Sequence, residues 1–204
     1  MIEFLKSIKS RDPAANNYME ILFLYPGVHA LLIYKVSNLF WKLRLKFLSK
    51  IFSYFGRILT GIEIHPAAKI GKNLFIDHGM GVVIGETSIV GENVTIYHAV
   101  TLGGISPSIN SNDQRKIKRH PTIEDNVIIG SGAQVLGPIT VKRGARVGAN
   151  AVVTKSVKKD TTVMGVPARE IKKTLKKDIS EFTAYGTPTD LEIKHKEKKN
   201  KRKI

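Results

Sequence analysis

An aliphatic residue returns at every sixth position from Ile123 onward: Ile123, Ile129, Val135, Val141, Val147 and Val153 follow one another without a miss. An amphipathic helix spaces its apolar residues three and four apart, and a half-buried strand alternates. A period of six fits neither. Four residues after each of these positions stands a second small or aliphatic side chain: Val127, Ala133, Ile139, Ala145, Ala151 and Val157. The same two stripes run earlier through Ile84, Val90, Ile96 and Leu102, with Ser88, Val94 and Val100 at the second position, and earlier still through Ile64, Ile70 and Ile76. The repeat spans residues 62–158.

Such a period predicts short flat segments that turn after each hexad and stack coil on coil around a continuous core, a parallel β-helix. Three hexads close one triangular turn. Gly71, Gly85, Gly91, Gly130 and Gly148 directly follow a stripe residue, where a backbone corner tolerates little side-chain bulk. The expected fold class is mainly β: a left-handed parallel β-helix of hexapeptide repeats over residues 61–170, an N-terminal α-helical region over 1–60 and a basic C-terminal tail over 171–204. In the helical region Asn17 caps a segment running to Tyr25, Pro26-Gly27 marks a break, and residues 28–57 carry Leu, Ile, Trp and Phe at helical spacings. The uncharged stretch from Ile21 to Tyr34 is too short for a membrane span, which needs about 20 residues. The apolar face between Trp41 and Leu59 is expected to pack on the solenoid or on another subunit.

Two places break the period, and interruptions of a regular solenoid are where function is expected. Between Ile76 and Ile84 two extra residues enter within Asp77-His78-Gly79-Met80-Gly81. Between Leu102 and Ile123 lies a polar loop rich in turn formers, from Gly103 to Thr122. Each break carries a His beside a charged residue, Asp77-His78 and Arg119-His120.

The 204 residues are 42% hydrophobic and 25% charged, which is ordinary for a soluble domain. The chain contains no cysteine, so disulfides and thiolate metal sites are excluded and a cytoplasmic address is expected. The net charge of +16 is unevenly placed: residues 1–60 carry 9 basic and 3 acidic side chains, 61–170 carry 13 and 9, and 171–204 carry 11 and 5. The folded middle is only mildly basic, and the tail reads as a solvated end; neither nucleic acid nor membrane is an expected partner.

Several motifs occur in order: Arg11-Asp12-Pro13-Ala14, Ile64-His65-Pro66-Ala67, Asp77-His78-Gly79-Met80-Gly81, Gly85-Glu86-Thr87, Val100-Thr101-Leu102-Gly103-Gly104, Arg119-His120-Pro121 and Gly165-Val166-Pro167-Ala168-Arg169. In this combination the chain resembles the serine O-acetyltransferases, hexapeptide-repeat acyltransferases that move an acetyl group from acetyl-CoA to L-serine on the way to cysteine. The resemblance covers Arg11 to Arg169. It implies that His78 is the general base, since a serine hydroxyl is a poor nucleophile until a base takes its proton. It places Glu63, where relatives often carry Asp, as the carboxylate that orients that base. It further implies that Asp12 and Asp77 face the ammonium of serine, while Arg119 and His120 bind its carboxylate. His65 and His98 receive no catalytic role. For the CoA track the resemblance points to Gly103 and Gly104 near the thioester, Ser131 and Ala149 along a coil edge, and Arg146 and Arg169 toward the phosphates. The acyl-donor groove of this family lies between subunits, which implies a homotrimer or a dimer of trimers. Relatives also place a C-terminal Ile in the active site of O-acetylserine sulfhydrylase, and this chain ends in Ile204. No metal is expected.

Two other readings share the solenoid. A hexapeptide acetyltransferase acting on a sugar or antibiotic hydroxyl would also use a His base, but would not need acidic and basic partners suited to an amino acid. A β-helix zinc carbonic anhydrase needs three His ligands, and the spacing of His65, His78, His98 and His120 does not supply the expected close pair.

Overall fold

A computed structural model describes residues 1–106, 109, 111–115 and 117–171. The basic tail beyond 171, and with it Ile204, lies outside the described residues.

Four helices precede the solenoid: α1 Ile2–Lys9, α2 Tyr18–Leu24, α3 Pro26–Lys42 and α4 Lys46–Thr60. Helix α1 falls within the expected helical region, where no separate segment was delimited before Asn17; Leu5 and Ile8, three apart, form its buried side. Asn17 caps α2 as expected, its side-chain oxygen accepting the backbone N–H of Glu20 at 2.9 Å. Pro26 occupies the first turn of α3, where its missing N–H costs nothing, and α2 and α3 meet there at 63°. Gly61 ends α4 in the left-handed conformation at φ 68°. No single described helix is long and apolar enough to cross a membrane. Helix α4 turns small residues, Ser49, Gly56 and Thr60, toward its neighbours. A Cβ on Gly56 would press within 3.0 Å of Ile33, so α3 and α4 pack closely there. Its large apolar residues Phe47, Tyr54, Phe55, Ile58 and Leu59 face outward, each more than half exposed.

The strands then come in triplets, one per coil. The first coil holds β1 Glu63–Ile64, β2 Lys69–Ile70 and β3 Phe75–Ile76; the second β4 Val83–Ile84, β5 Ile89–Val90 and β6 Thr95–Ile96. The third holds β7 Thr101–Gly103, β8 Thr122–Ile123 and β9 Ile128–Ile129; the fourth β10 Gln134–Leu136, β11 Thr140–Val141 and β12 Arg146–Val147. β13 Val152–Val153 opens a fifth coil, which closes through β14 Thr162–Met164 and the antiparallel β15 Arg169–Glu170. Every third strand pairs as far as β13, and β14 then pairs with β12, giving three parallel sheets: β1-β4-β7-β10-β13 (sheet one), β2-β5-β8-β11 (sheet two) and β3-β6-β9-β12-β14 (sheet three), to which β15 adds its edge. The chain is therefore a β-helix of triangular section.

The stripes fill its interior. Ile84, Ile96, Leu102, Ile123, Ile129, Val135 and Val141 are inaccessible, as are Val94, Val100, Val127, Ala133, Ala145 and Ala151 of the second stripe. Ile70 and Ile139 are only partly buried against that core. Ser88 carries a second-stripe hydroxyl into the core, and its Oγ has no hydrogen-bond partner among the described residues. The corner between sheets two and three stacks Asn73, Asn93 and Asn126 at φ 57°, 55° and 58°, a left-handed conformation that Asn adopts at little cost.

Register locates the two breaks. Glu63 pairs with Val83 and Val83 with Thr101, so the first step is two residues longer than the second. The extra residues sit at the corner between sheets three and one. The step from Ile89 to Thr122 contains the long loop, which leaves the corner between sheets one and two.

Candidate active site

The first break forms a tight knuckle. Asp77 donates its backbone N–H to Ile96 O at 2.9 Å, His78 lies at φ 57°, and the backbone N–H groups of Gly79 and Gly81 reach Asp77 O and Gly61 O at 2.6 and 2.8 Å. A left-handed non-glycine residue costs about 1 kcal/mol, which these surrounding bonds offset. The turn lifts the His78 ring to the surface, with its side chain 77% exposed. The register Ile76↔Ile96, Ile96↔Ile129 and Ile129↔Val147 places His78, His98, Ser131 and Ala149 one above another along this edge. The His78 and His98 rings meet edge to face at 6.1 Å.

Arg11 anchors the helical region at the other end of sheet three, where the chain enters β3 and β6. Its half-buried guanidinium donates to Val94 O (3.1 Å), Asn73 O (2.6 Å) and Thr95 Oγ1 (3.1 Å), and to Ser7 on its own helix, riveting the turn after α1 to two coils. Burial lowers its pKa to about 10, so it remains charged. The next residue, Asp12, is then fixed: Oδ1 accepts Ala14 N–H at 2.8 Å and Oδ2 accepts Tyr25 O–H at 2.5 Å. Burial raises the Tyr25 pKa and the bond to Asp12 raises it further, keeping the phenol a donor. Burial also raises the Asp77 carboxyl, and the Asp12 charge adds to that rise while His78 and His98 oppose it. Two carboxylates thus share a partly dry corner, where an incoming cation would relieve both.

The second break joins another corner. Glu86 and Thr87, on the turn after β4, clasp Arg119 and His120 of the long loop in sequence. The Glu86 carboxylate takes the Arg119 guanidinium in an ion pair, and Thr87 Oγ1 lies 2.9 Å from His120 Nδ1. Burial alone would raise Glu86, but the hydrogen bond and charge of Arg119 outweigh it and hold the carboxyl below its ordinary range. His120 is buried, and burial together with the Arg119 charge brings its pKa down to about 4. Its ring lies flat on Gly85, where a Cβ would come within 2.1 Å of Cδ2. Burial also lowers the pKa of His65, one coil below.

Not every expected contact is made. Glu63 pairs with Arg57 at 3.0 Å rather than with His78, and the carboxylate beside His78 is Asp77, at 3.9 Å from Nε2. The expected orienting role of Glu63 is therefore not realised within one chain: Glu63 lies in β1, and Arg57 on the last turn of α4 overlies it. The serine-pocket residues are also divided. Asp12, Asp77 and His78 gather at one end of β4 and Arg119 and His120 at the other, where four residues of extended chain from Gly81 to Gly85 span about 13 Å. Candidates for the CoA track divide similarly. Leu102 pairs with Ile84, so Gly103 and Gly104 stack above Gly85 and Glu86, while Ser131 and Ala149 follow His78. Arg146 and Arg169 both lie on sheet three. Gly104 is open, its nearest neighbour for a Cβ being Arg119 O at 3.6 Å. A cavity of about 770 Å³ between α3 and the first coil, lined by Leu31, Tyr34, Trp41 and Ile70, holds none of these residues.

Sequence reasoning gave no role to Arg11, Tyr25, Glu86 or Thr87. Arg11, Glu86 and Thr87 stood inside the ordered motifs, and that adjacency was the available signal.

Comparison with known proteins follows the same lines. Residues 120–155 match the family model for bacterial transferase hexapeptide (six repeats). A serine acetyltransferase from Bacillus pumilus is 44% identical over 195 residues, 96% of this chain and 87% of the relative. Among solved structures, serine acetyltransferase from Brucella abortus in complex with coenzyme A is 38% identical with a TM-score of 0.77, covering 84% of this chain. The soybean enzyme complexed with serine is 39% identical with a TM-score of 0.77 over 83% of this chain. This chain spans 66% and 67% of the lengths of those two proteins.

Proposed function

The chain belongs to the serine acetyltransferases among the hexapeptide-repeat transferases, and from that premise we propose that it transfers the acetyl group of acetyl-CoA to the hydroxyl of L-serine, giving O-acetyl-L-serine and CoA for cysteine biosynthesis. The observation that carries this reading is the pair of complementary corners: two crowded carboxylates, Asp12 and Asp77, beside an exposed imidazole, and Arg119 with neutral His120 on the other. Serine offers an ammonium to the first and a carboxylate to the second. Its hydroxyl then lies at His78, which accepts the proton as the oxygen attacks the thioester carbon; the C–S bond breaks, and the proton leaves with the CoA sulfur.

One chain holds the two halves too far apart for a single amino acid, so we propose a homotrimer in which the carboxylate corner of one subunit meets the Arg119 corner of the next. The outward apolar side of α4 supports assembly of this chain, as a trimer or as a dimer of trimers. In the groove between subunits, Gly103, Gly104, Ser131 and Ala149 permit close approach of the pantetheine arm, and Arg146 and Arg169 supply cations for the phosphates. Asp77 takes the position beside His78, and Glu63 acts on that base only if its bond to Arg57 opens in the assembly. We further propose the left-handed winding implied by the hexad period, domains divided at 60/61 and 170/171, a cytoplasmic location where both substrates are made, and docking of Ile204 on O-acetylserine sulfhydrylase. Titration of a ten-residue C-terminal peptide with and without Ile204 tests that docking.

The direct test of function is a thiol-release assay with acetyl-CoA against serine, homoserine, threonine and a panel of sugars. Serine should give the highest kcat/KM. Preference for a sugar hydroxyl would overturn the reading.

A further inference from the structure

We infer that Thr87 is a positioning residue that fixes His120 as the neutral tautomer with its proton on Nε2, so that the ring presents one N–H donor to the substrate carboxylate. The last clause rests on the proposed serine pocket; the tautomer rests on the hydrogen bonds alone.

The backbone N–H of Thr87 points at His120 Nδ1, with a distance of 3.2 Å. A backbone amide cannot reverse its polarity, so Nδ1 must accept. The hydroxyl leads to the same conclusion by elimination. Thr87 Oγ1 accepts the backbone N–H of Arg119 and of His120, both at 3.0 Å, which fills its two lone pairs. Its own proton is then left for Nδ1, 2.9 Å away. Two donors converge on one ring nitrogen, and a proton placed there would face both. The remaining proton of the neutral ring belongs on Nε2. The imidazolium is disfavoured for the same reason, in agreement with the low pKa already described. Among the described residues, Arg119, Lys118 and His65 oppose a positive charge on the ring and Glu86 favours one.

The consequence concerns recognition. With Arg119 paired to Glu86 and His120 neutral, the substrate carboxylate meets a directed donor beside a guanidinium rather than two free cations. Directed donors select for the geometry of a carboxylate and not merely for negative charge.

Nitrogen-15 NMR of the full-length protein labelled at histidine reads the tautomer directly. At pH 7 His120 should show an unprotonated Nδ1 and a protonated Nε2. Thr87→Val, which keeps the amide but removes the hydroxyl, should raise the His120 titration midpoint and increase the KM for serine roughly fivefold. It should leave the KM for acetyl-CoA unchanged, and Thr87→Ser should restore both values. A wild-type Nδ1 carrying a proton at pH 7 would overturn the inference whether or not the valine variant folds. So would a folded Thr87→Val protein whose His120 titration and serine KM both match wild type. The spectrum is independent of substrate, so a protein that failed to acetylate serine would refute the functional reading without touching the tautomer.

Discussion

Co-assembly of two inactive variants tests whether the site is shared between subunits. His78→Ala removes the proposed base at one corner, and Arg119→Ala removes the guanidinium at the other. About 13 Å of strand separates these corners in one chain, while the ammonium and carboxylate of serine are attached to the same carbon. In a trimer with cyclic symmetry each site draws His78 from one subunit and Arg119 from its neighbour. If the two variants mix at random in equal amounts, a site is intact when an Arg119→Ala subunit contributes His78 and a His78→Ala subunit contributes Arg119. That combination arises at about one quarter of the sites under random cyclic assembly. Co-refolded mixtures should therefore recover about one quarter of wild-type serine-dependent thiol release, against the far lower rates of either variant alone. A site built within one chain predicts no recovery, because every subunit then carries one defect. Activity no greater than the mean of the two separate variants would refute the shared site, provided that tagged pull-down shows mixed oligomers.

Gly85→Ala places a Cβ 2.1 Å from His120 Cδ2, so the ring must retreat by about 1.5 Å to reach an ordinary carbon contact. Both bonds to Nδ1 would break; at about 1 kcal/mol each this raises the serine KM roughly 30-fold, which steady-state kinetics will read with acetyl-CoA as the unaffected control. His78→Ala should lower turnover by roughly 10² to 10⁴ with unchanged circular dichroism; turnover within threefold of wild type removes His78 from the chemistry. Ser88→Ala removes a buried hydroxyl with no partner among the described residues, so it should stabilise the fold by about 1–2 kcal/mol and raise the melting temperature by roughly 2–6 °C, measured at matched protein concentration. His120 is held at about 4, below the ordinary 6.5 or so. Its neutral form therefore contributes stability above pH 6.5 that is lost as the pH falls toward 4. The gap in urea midpoint between wild type and His120→Asn should narrow over that window.

The core of the solenoid was legible because a hexad repeat admits few other packings: the stripe through Ile123, Ile129, Val135 and Val141 is inaccessible along its length. The helical region was legible where a cap or a proline punctuates it, at Asn17 and Pro26. It was less sharply marked at α1, whose apolar residues Ile2, Phe4, Leu5 and Ile8 extend over only about two turns. The interruptions marked which residues leave the coil, but not which corner each occupies. That depends on counting strands around a triangle, and a shift of one hexad would move His78 to another edge. Nor could spacing show that Glu63 would meet Arg57, since the contact joins a helix end to the first strand across a turn.

A solenoid offers a chemist edges rather than a pocket, because its interior is full and its faces are flat. The two interruptions act on different edges, and each supplies charge of one kind held by the body of the fold. Asp12 is set by Tyr25 on a turn that Arg11 anchors, and Arg119 and His120 are held by the consecutive residues Glu86 and Thr87. A lone carboxylate corner would attract any amine, and a lone guanidinium corner any acid. Only their apposition requires both groups at the spacing of an α-amino acid, with a hydroxyl left over for His78. In the proposed trimer, substrate specificity is then a property of the subunit interface, and a variant that weakens assembly should lose discrimination between serine and simple alcohols before it loses its fold.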